Sequence, residues 1–280
     1  MSRARRGGVL VLAALLLGTG AGGGQSVQVA AHRGGAGLWP ENSLAAFRGA
    51  IALGVDALEF DVHLTADGEP VVIHDPTLDR TTTGRGAVND ATVAQVRTLR
   101  LRGRDGAVTT ERVPTLAEVL DLAAPTPVQV LPEIKTASGG RRYPGFEGKM
   151  IALLQTRGLL DERAVVQAFD EATIKRLHEL EPGLRTMFLV SRARLASAGA
   201  EATEAVRWAT QAGASDLGMD HRAIDARVVV AARAAHVRLA AFTVNDEPDL
   251  RRLVDLGVDL VMSDRPDLAL TITGRTPRPR

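Results

Sequence analysis

Three short stretches of this chain end in groups able to hold a cation and move protons: His32-Arg33-Gly34-Gly35, Glu59-Phe60-Asp61 and His74-Asp75. Each closes an apolar run, at 27–31, 57–60 and 70–73. Glu59 and Asp61 stand two apart, so on a strand both side chains face one side. Two carboxylates there repel unless positive charge lies between them, and a hard divalent ion such as Ca2+ or Mg2+ is the usual partner for oxygen donors. Glu133-Ile134-Lys135 closes another run with the same spacing. Glu133 is thereby a candidate third ligand, and Lys135 a cation for an anionic substrate oxygen. Asp67 precedes Gly68 and reads as a turn residue instead.

Histidine is the side chain whose unperturbed pKa lies near neutrality, so His32 and His74 are the candidates for proton transfer. Phosphodiester hydrolysis needs a base for the nucleophile and an acid for the departing alkoxide, and two imidazoles on opposite sides of a phosphate supply both. Arg33 offers a planar fork to phosphate oxygens, while Gly34 and Gly35 let backbone approach a ligand closely. His63 falls on the Glu59/Asp61 side by alternation, but at a rim where its strand is expected to turn, so its role stays open. His178 sits in an amphipathic pattern and His236 near a helix end, which makes both structural. His221 follows a strand run, without a partner that spacing identifies. The plainer reading of Glu59 and Asp61, an exposed strand face paired with arginines, loses ground once Glu133, Lys135 and two histidines are counted beside them.

Such groups meet only if their strands share a rim. Apolar runs at 27–31, 57–63, 70–74, 128–134, 164–169, 185–190, 215–219, 238–244 and 259–262 alternate with amphipathic segments at 41–53, 115–123, 146–157, 171–181, 201–212, 225–235 and 247–256. This is the rhythm of βα units. Thr115 and Glu118 spell a capping box, and Gly54, Gly158, Gly213 and Gly257 stand where left-handed C-caps are wanted. Nine runs exceed the eight of a closed barrel, and the surplus is placed at Ala66-Asp67-Gly68, a tight turn and not a crossover. The expected fold is α/β, a (β/α)8 TIM barrel with a loop or insertion after the third strand-like segment. That insertion, residues 80–112, is rich in Thr, Gly and Arg; long loops are often lids. Its arginines between 97 and 112 read as a solvated surface, with a phosphate-facing loop as the alternative.

The chain has 280 residues, 45% hydrophobic and 24% charged, with net charge +1. That balance supplies no global field toward nucleic acid or anionic membrane. The absence of cysteine excludes disulfides, thiolate metal sites and a cysteine nucleophile. Arg3, Arg5 and Arg6 precede an apolar run at 9–17 and small residues at 18–24, the pattern of a secretory leader. The run is shorter than the ~20 residues a bilayer span takes. Residues 1–25 are therefore expected to be a signal peptide of an exported protein, periplasmic or secreted, with an uncleaved anchor as the alternative. Residues 26–272 are expected to form the barrel domain and 273–280 a flexible tail.

As an ordered set, His32-Arg33-Gly34-Gly35, Pro40-Glu41-Asn42-Ser43, Glu59-Phe60-Asp61-Val62, Ile73-His74-Asp75, Arg80-Thr81-Thr82, Glu133-Ile134-Lys135, Thr243-Val244-Asn245 and Ser263-Asp264-Arg265-Pro266 resemble the glycerophosphodiester phosphodiesterases. The resemblance covers about residues 28–270. It implies a site at the C-terminal rim of the strands, one divalent ion held by Glu59, Asp61 and Glu133, and acid/base roles for His32 and His74. It also implies phosphate contacts from Arg33 and Lys135, and a substrate contact from Phe242 where many members have Trp. The implied substrate is a small glycerophosphodiester, cleaved to glycerol 3-phosphate and an alcohol, with no nucleic-acid partner and no stable membrane span. Export tilts the metal toward Ca2+, with Mg2+ the alternative; oligomeric state is left open. Departures from the family at Ala168, Phe242 and Pro132 concern substrate packing. Two other functions fit part of the pattern. A lysophospholipase D-like or sphingomyelinase D-like enzyme is disfavoured by the 3% aromatic content. An exported phosphate-ester binding protein is disfavoured by the presence of both histidines.

Overall fold

The computed structural model describes residues 26–277; the expected leader, 1–25, and residues 278–280 lie outside them. Nine strands form among the described residues: β1 (Gln28–Ala31), β2 (Ala57–Leu64), β3 (Pro70–Val72), β4 (Gln129–Ile134), β5 (Val165–Ala168), β6 (Arg185–Val190), β7 (Asp216–Asp220), β8 (Arg238–Phe242) and β9 (Leu260–Ser263). Eight run parallel in the order β1-β9-β8-β7-β6-β5-β4-β2, and β1 pairs back onto β2 to close the barrel. The surplus strand is β3, antiparallel to β2 with Val72 opposite Val62, across the turn at Asp67-Gly68. The expected (β/α)8 TIM barrel is present.

Barrel strands are covered on both faces, so they read as apolar throughout. Alternation still sorts their side chains. Along β2, Leu58, Phe60 and Val62 join the shell packed under the helices, while Ala57 faces a small inner cluster with Ala30, Leu131, Val165, Met187 and Ala240. Two residues on from the inward residues of β2, β4 and β5 stand Glu59, Glu133 and Gln167, all buried. The barrel interior therefore changes from apolar to charged within one layer, toward the C-terminal rim.

Helices wrap this barrel: α1 (Leu44–Leu53), α2 (Val93–Val96), α3 (Leu116–Ala123), α4 (Phe146–Gln155), α5 (Glu171–Leu180), α6 (Arg192–Ala198), α7 (Glu204–Ala212), α8 (Ala226–Ala234), α9 (Glu247–Leu256) and α10 (Pro266–Ile272). Both capping-box bonds between Thr115 and Glu118 form at α3, and Gly54, Gly213 and Gly257 take left-handed C-caps. The short helices α2, α6 and α10 were not anticipated, because four to seven residues are too few to display a 3.6-residue period. Helix α1 starts at 44 and not 41, since Pro40–Ser43 forms a bend in which Asn42 has φ 56°.

The insertion is an ordered cap. Leu78, Val88, Val96, Leu101 and Val113 pack a satellite core against Val71 and Ile73 of the hairpin. The tail expected to be loose is held as far as Arg275, which pairs with Asp56 at 2.6 Å and donates to the Val27 carbonyl. No helix among the described residues is long and apolar enough to cross a membrane.

Candidate active site

Strand β1 ends in a sharp turn. Arg33, Gly34 and Gly35 are successively left-handed, at φ 52°, 78° and 94°. A Cβ on Gly34 would stand 2.8 Å from that of Ala46 on α1, so glycine alone meets both the backbone and the packing demand. The turn aims the Arg33 backbone N–H at Glu59 Oε2, 2.8 Å away, and leaves the Arg33 guanidinium between Glu41 (3.2 Å) and Asp61 (3.5 Å).

The expected acids converge. Register sets Asp61 opposite Glu133, and Glu133 opposite Gln167. Glu59, Asp61 and Glu133 each present an oxygen within 4.8 Å of the others. Lys135 Nζ lies 2.9 Å from Asp61 and 2.7 Å from Glu133. Asn42 Nδ2 donates to Asp61 at 2.8 Å and Gln167 Nε2 to Glu59 at 2.9 Å. Burial works against the Asp61 charge, but Lys135, His74 and Arg33 outweigh it and hold that carboxyl far below its usual range. Glu59 has no comparable cation, so burial and the Asp61 charge push it up to about 7. Glu133 is also raised, burial being the chief cause.

This cluster fits a hard divalent ion. Its donors are carboxylate oxygens, the ligand class such ions prefer. Three buried carboxylates meet only two permanent cations there, Lys135 and Arg33. Gln167 Oε1 is buried without a hydrogen-bond partner, a further oxygen donor at its edge.

Both proton-transfer candidates line the same cleft, and each has one ring nitrogen tied to a carboxylate. His32 Nδ1 lies 2.6 Å from Asp264, which Asn245 Nδ2 holds at 2.7 Å; His32 Nε2 is 3.9 Å from Glu59. Burial disfavours the His32 cation, yet Glu59 and the Asp264 bond prevail and raise its pKa. His74 Nδ1 lies 2.7 Å from Asp75, and burial lowers its pKa despite Asp61. Arg80 donates to Asp75 at 2.7 and 2.9 Å and to Glu41 at 2.8 and 2.9 Å. Because Glu41 also accepts from Arg33, one ionic chain joins His74 to Arg33.

His63 stands outside the cleft. Its Nε2 donates to the His74 carbonyl at 3.1 Å, and its Nδ1 lies 2.9 Å from the Tyr143 hydroxyl. Burial lowers its pKa to about 4, so it is a neutral prop beneath the His74 loop. His221 is buried against Asp249 at 3.3 Å, away from the cleft. The Phe242 ring meets Phe169 edge to face at 5.7 Å, and with Leu189 and Met262 they form an apolar wall. The cleft encloses about 210 Å3.

Residue-by-residue reading assigned no role to Asp264, Asn245, Asn42, Glu41, Arg80 or Gln167. All but Gln167 lie inside the recurrent motifs, though nothing in their spacing reveals their partners. Gln167 carried a signal, as the one amide within an otherwise apolar strand run.

A closed barrel with acids, imidazoles and cations gathered at its C-terminal rim defines a class of protein, the TIM-barrel hydrolases of phosphate esters. Residues 32–268 match the glycerophosphoryl diester phosphodiesterase family, and the chain belongs to it. It is 33% identical over 252 residues to the glycerophosphodiester phosphodiesterase of Bacillus subtilis, covering 85% of this chain and 83% of that one. The enzyme of that name from Caldanaerobacter subterraneus is 34% identical over 87% of this chain and 96% of its own. Among solved structures, a glycerophosphodiester phosphodiesterase from Agrobacterium tumefaciens superposes with TM-score 0.71 at 27% identity, covering 88% of this chain and 99% of that one. A phosphodiesterase from Oleispira antarctica, solved with its product sn-glycerol-3-phosphate, superposes with TM-score 0.74 at 26% identity over 88% and 96%.

Proposed function

We propose that this protein hydrolyses glycerophosphodiesters to glycerol 3-phosphate and an alcohol, with a divalent ion on Glu59, Asp61 and Glu133 and acid–base catalysis by His32 and His74. The observation that carries this reading is one small cleft that joins a carboxylate cluster, two carboxylate-held imidazoles and the cations Arg33 and Lys135. Product in the Oleispira relative and the names of the two curated relatives support the substrate class.

A bound divalent ion would supply a Lewis acid for a phosphoryl oxygen. The chain's own groups do the rest. Arg33 and Lys135 bind and orient the phosphate's anionic oxygens. His74, whose cation burial disfavours, takes on Nε2 the proton of the attacking oxygen, either water or a glycerol hydroxyl whose cyclic phosphate water then opens, since its Nδ1 is engaged by Asp75. His32, whose protonated form Asp264 and Glu59 favour, gives a proton from Nε2 to the departing alkoxide. The Phe169–Phe242 wall packs the carbon atoms of glycerol. An acyl chain would need a continuous apolar groove, and the large exposed hydrophobics Val108, Phe169, Leu180 and Val230 are scattered. Export is the reading that the sequence pattern of residues 1–25 supports. An all-oxygen donor set suits Ca2+ and Mg2+ alike, and an exported location favours Ca2+.

Phosphorus NMR of glycerophosphocholine with purified protein tests the reading. Glycerol 3-phosphate should accumulate, cease with excess chelator and return with Ca2+ or Mg2+. His32→Ala should lower kcat by at least about a hundredfold, and by much less on a nitrophenyl diester, whose leaving group departs without a proton. Full turnover in chelator removes the metal; wild-type turnover by the variant removes His32.

A further inference from the structure

At about 210 Å3, the cleft is smaller than the ~300–1,000 Å3 typical of sites for drug-sized ligands. A volume of this size is on the scale of glycerol phosphate, so the alcohol esterified to it extends past the cleft. A larger space of about 560 Å3 opens directly beside it and shares His32, Arg33 and Thr243 with it, whereas His74 lines the cleft and not this outer space. An alcohol departing on the His32 side enters this outer space. Beyond it, a hollow of about 270 Å3 continues under the cap past Arg80 and Arg102, sharing Glu41 and Arg104 with the outer space.

The charges in this passage are unbalanced. Its carboxylates are engaged: Glu41 by Arg33 and Arg80, Asp264 by His32 and Asn245. Arg265 is matched by Asp267. Among the described residues no carboxylate pairs with Arg102 or Arg104. Arg102 donates to the carbonyls of Thr82 and Gly106, and Arg104 reaches the Gly37 carbonyl at 3.4 Å. The adjacent acid, Asp105, accepts from Ala107 N at 3.0 Å within its own turn, which a Gly103 N to Ala107 O bond of 2.8 Å closes. Arg104 is thus an exposed cation on an ordered turn. A cationic alcohol such as choline meets no free carboxylate here, while an anion meets two uncompensated guanidinium groups.

Resting on the function proposed above, we propose that this outer space is a leaving-group subsite for an anionic alcohol, one carrying its own phosphate or carboxylate, with Arg104 as the specificity-determining residue. The test compares kcat/KM for glycerophosphocholine, glycerophosphoglycerol and glycerophosphoinositol 4-phosphate, whose leaving alcohols are cationic, neutral and anionic. Wild-type protein should favour the anionic diester over the choline diester by about tenfold, and the preference should shrink between ~0.05 and ~0.5 M salt. Arg104→Glu should cut that ratio by about tenfold or more, and Arg104→Lys, which keeps the charge, should retain most of it. An active enzyme with no anionic preference, or one whose preference survives Arg104→Glu, overturns the subsite while leaving the phosphodiesterase reading intact. No turnover of any of the three diesters overturns that reading, and the subsite with it.

Discussion

Arg80 is 48% exposed in its side chain, yet its four hydrogen bonds span Asp75 and Glu41. Asp75 orients His74, and Glu41 shares Arg33, so Arg80 holds two groups of the cleft without lining it. Its pKa is driven up by the Asp75 and Glu41 bonds, which marks it as a permanent cation between two anions. Arg80→Met should reduce kcat by about 10–100-fold, the penalty of a slightly misplaced reactive group, with a smaller change in KM. Asp75→Asn should act through the same imidazole. The double variant should therefore lose much less than the product of the single losses. Multiplicative losses in steady-state kinetics would show that Arg80 and Asp75 act independently.

At the scale of elements, the turn from β1 into α1 carries the tightest demand. Gly34 combines φ 78° with a Cβ position 2.8 Å from Ala46 and 3.0 Å from Phe47. Gly34→Ala adds left-handed strain of ~1–2 kcal/mol and overpacking of ~1–3 kcal/mol. A loss of about 2–5 kcal/mol is expected in denaturant unfolding, and His32 and Arg33 would shift with the turn. An unchanged midpoint would mean that α1 can move aside. The cap obeys different physics: its satellite core is small, so it is the element expected to open first in hydrogen exchange.

Across the whole molecule, the barrel brings the three acids together from two strands that are distant in sequence and adjacent in space. Their mutual repulsion opposes folding, and a divalent ion that bound only the folded state would offset it. Saturating Ca2+ or Mg2+ at a hundred times its Kd should stabilise the protein by about 2.7 kcal/mol, read as a rise in Tm. Glu133→Gln should blunt that rise. A Tm indifferent to both ions at millimolar concentration would count against the cluster as a metal site.

The alternation of apolar and amphipathic runs was enough to read the barrel, because strands covered on both faces and helices with one buried stripe leave different periods in the chain. The same two-residue spacing revealed that Glu59 and Asp61 share a face, as do Glu133 and Lys135, since strand geometry is local. The partners of these groups were not legible. Asp264 reaches His32 across 232 positions and Gln167 reaches Glu59 across 108, and no local period encodes such pairings. They follow from barrel closure and strand register, which place the last strand beside the first. The fate of His63 turned on the same distinction: alternation placed it on the acids' side, but antiparallel pairing of β3 carried the His74 backbone over it and left it a structural support.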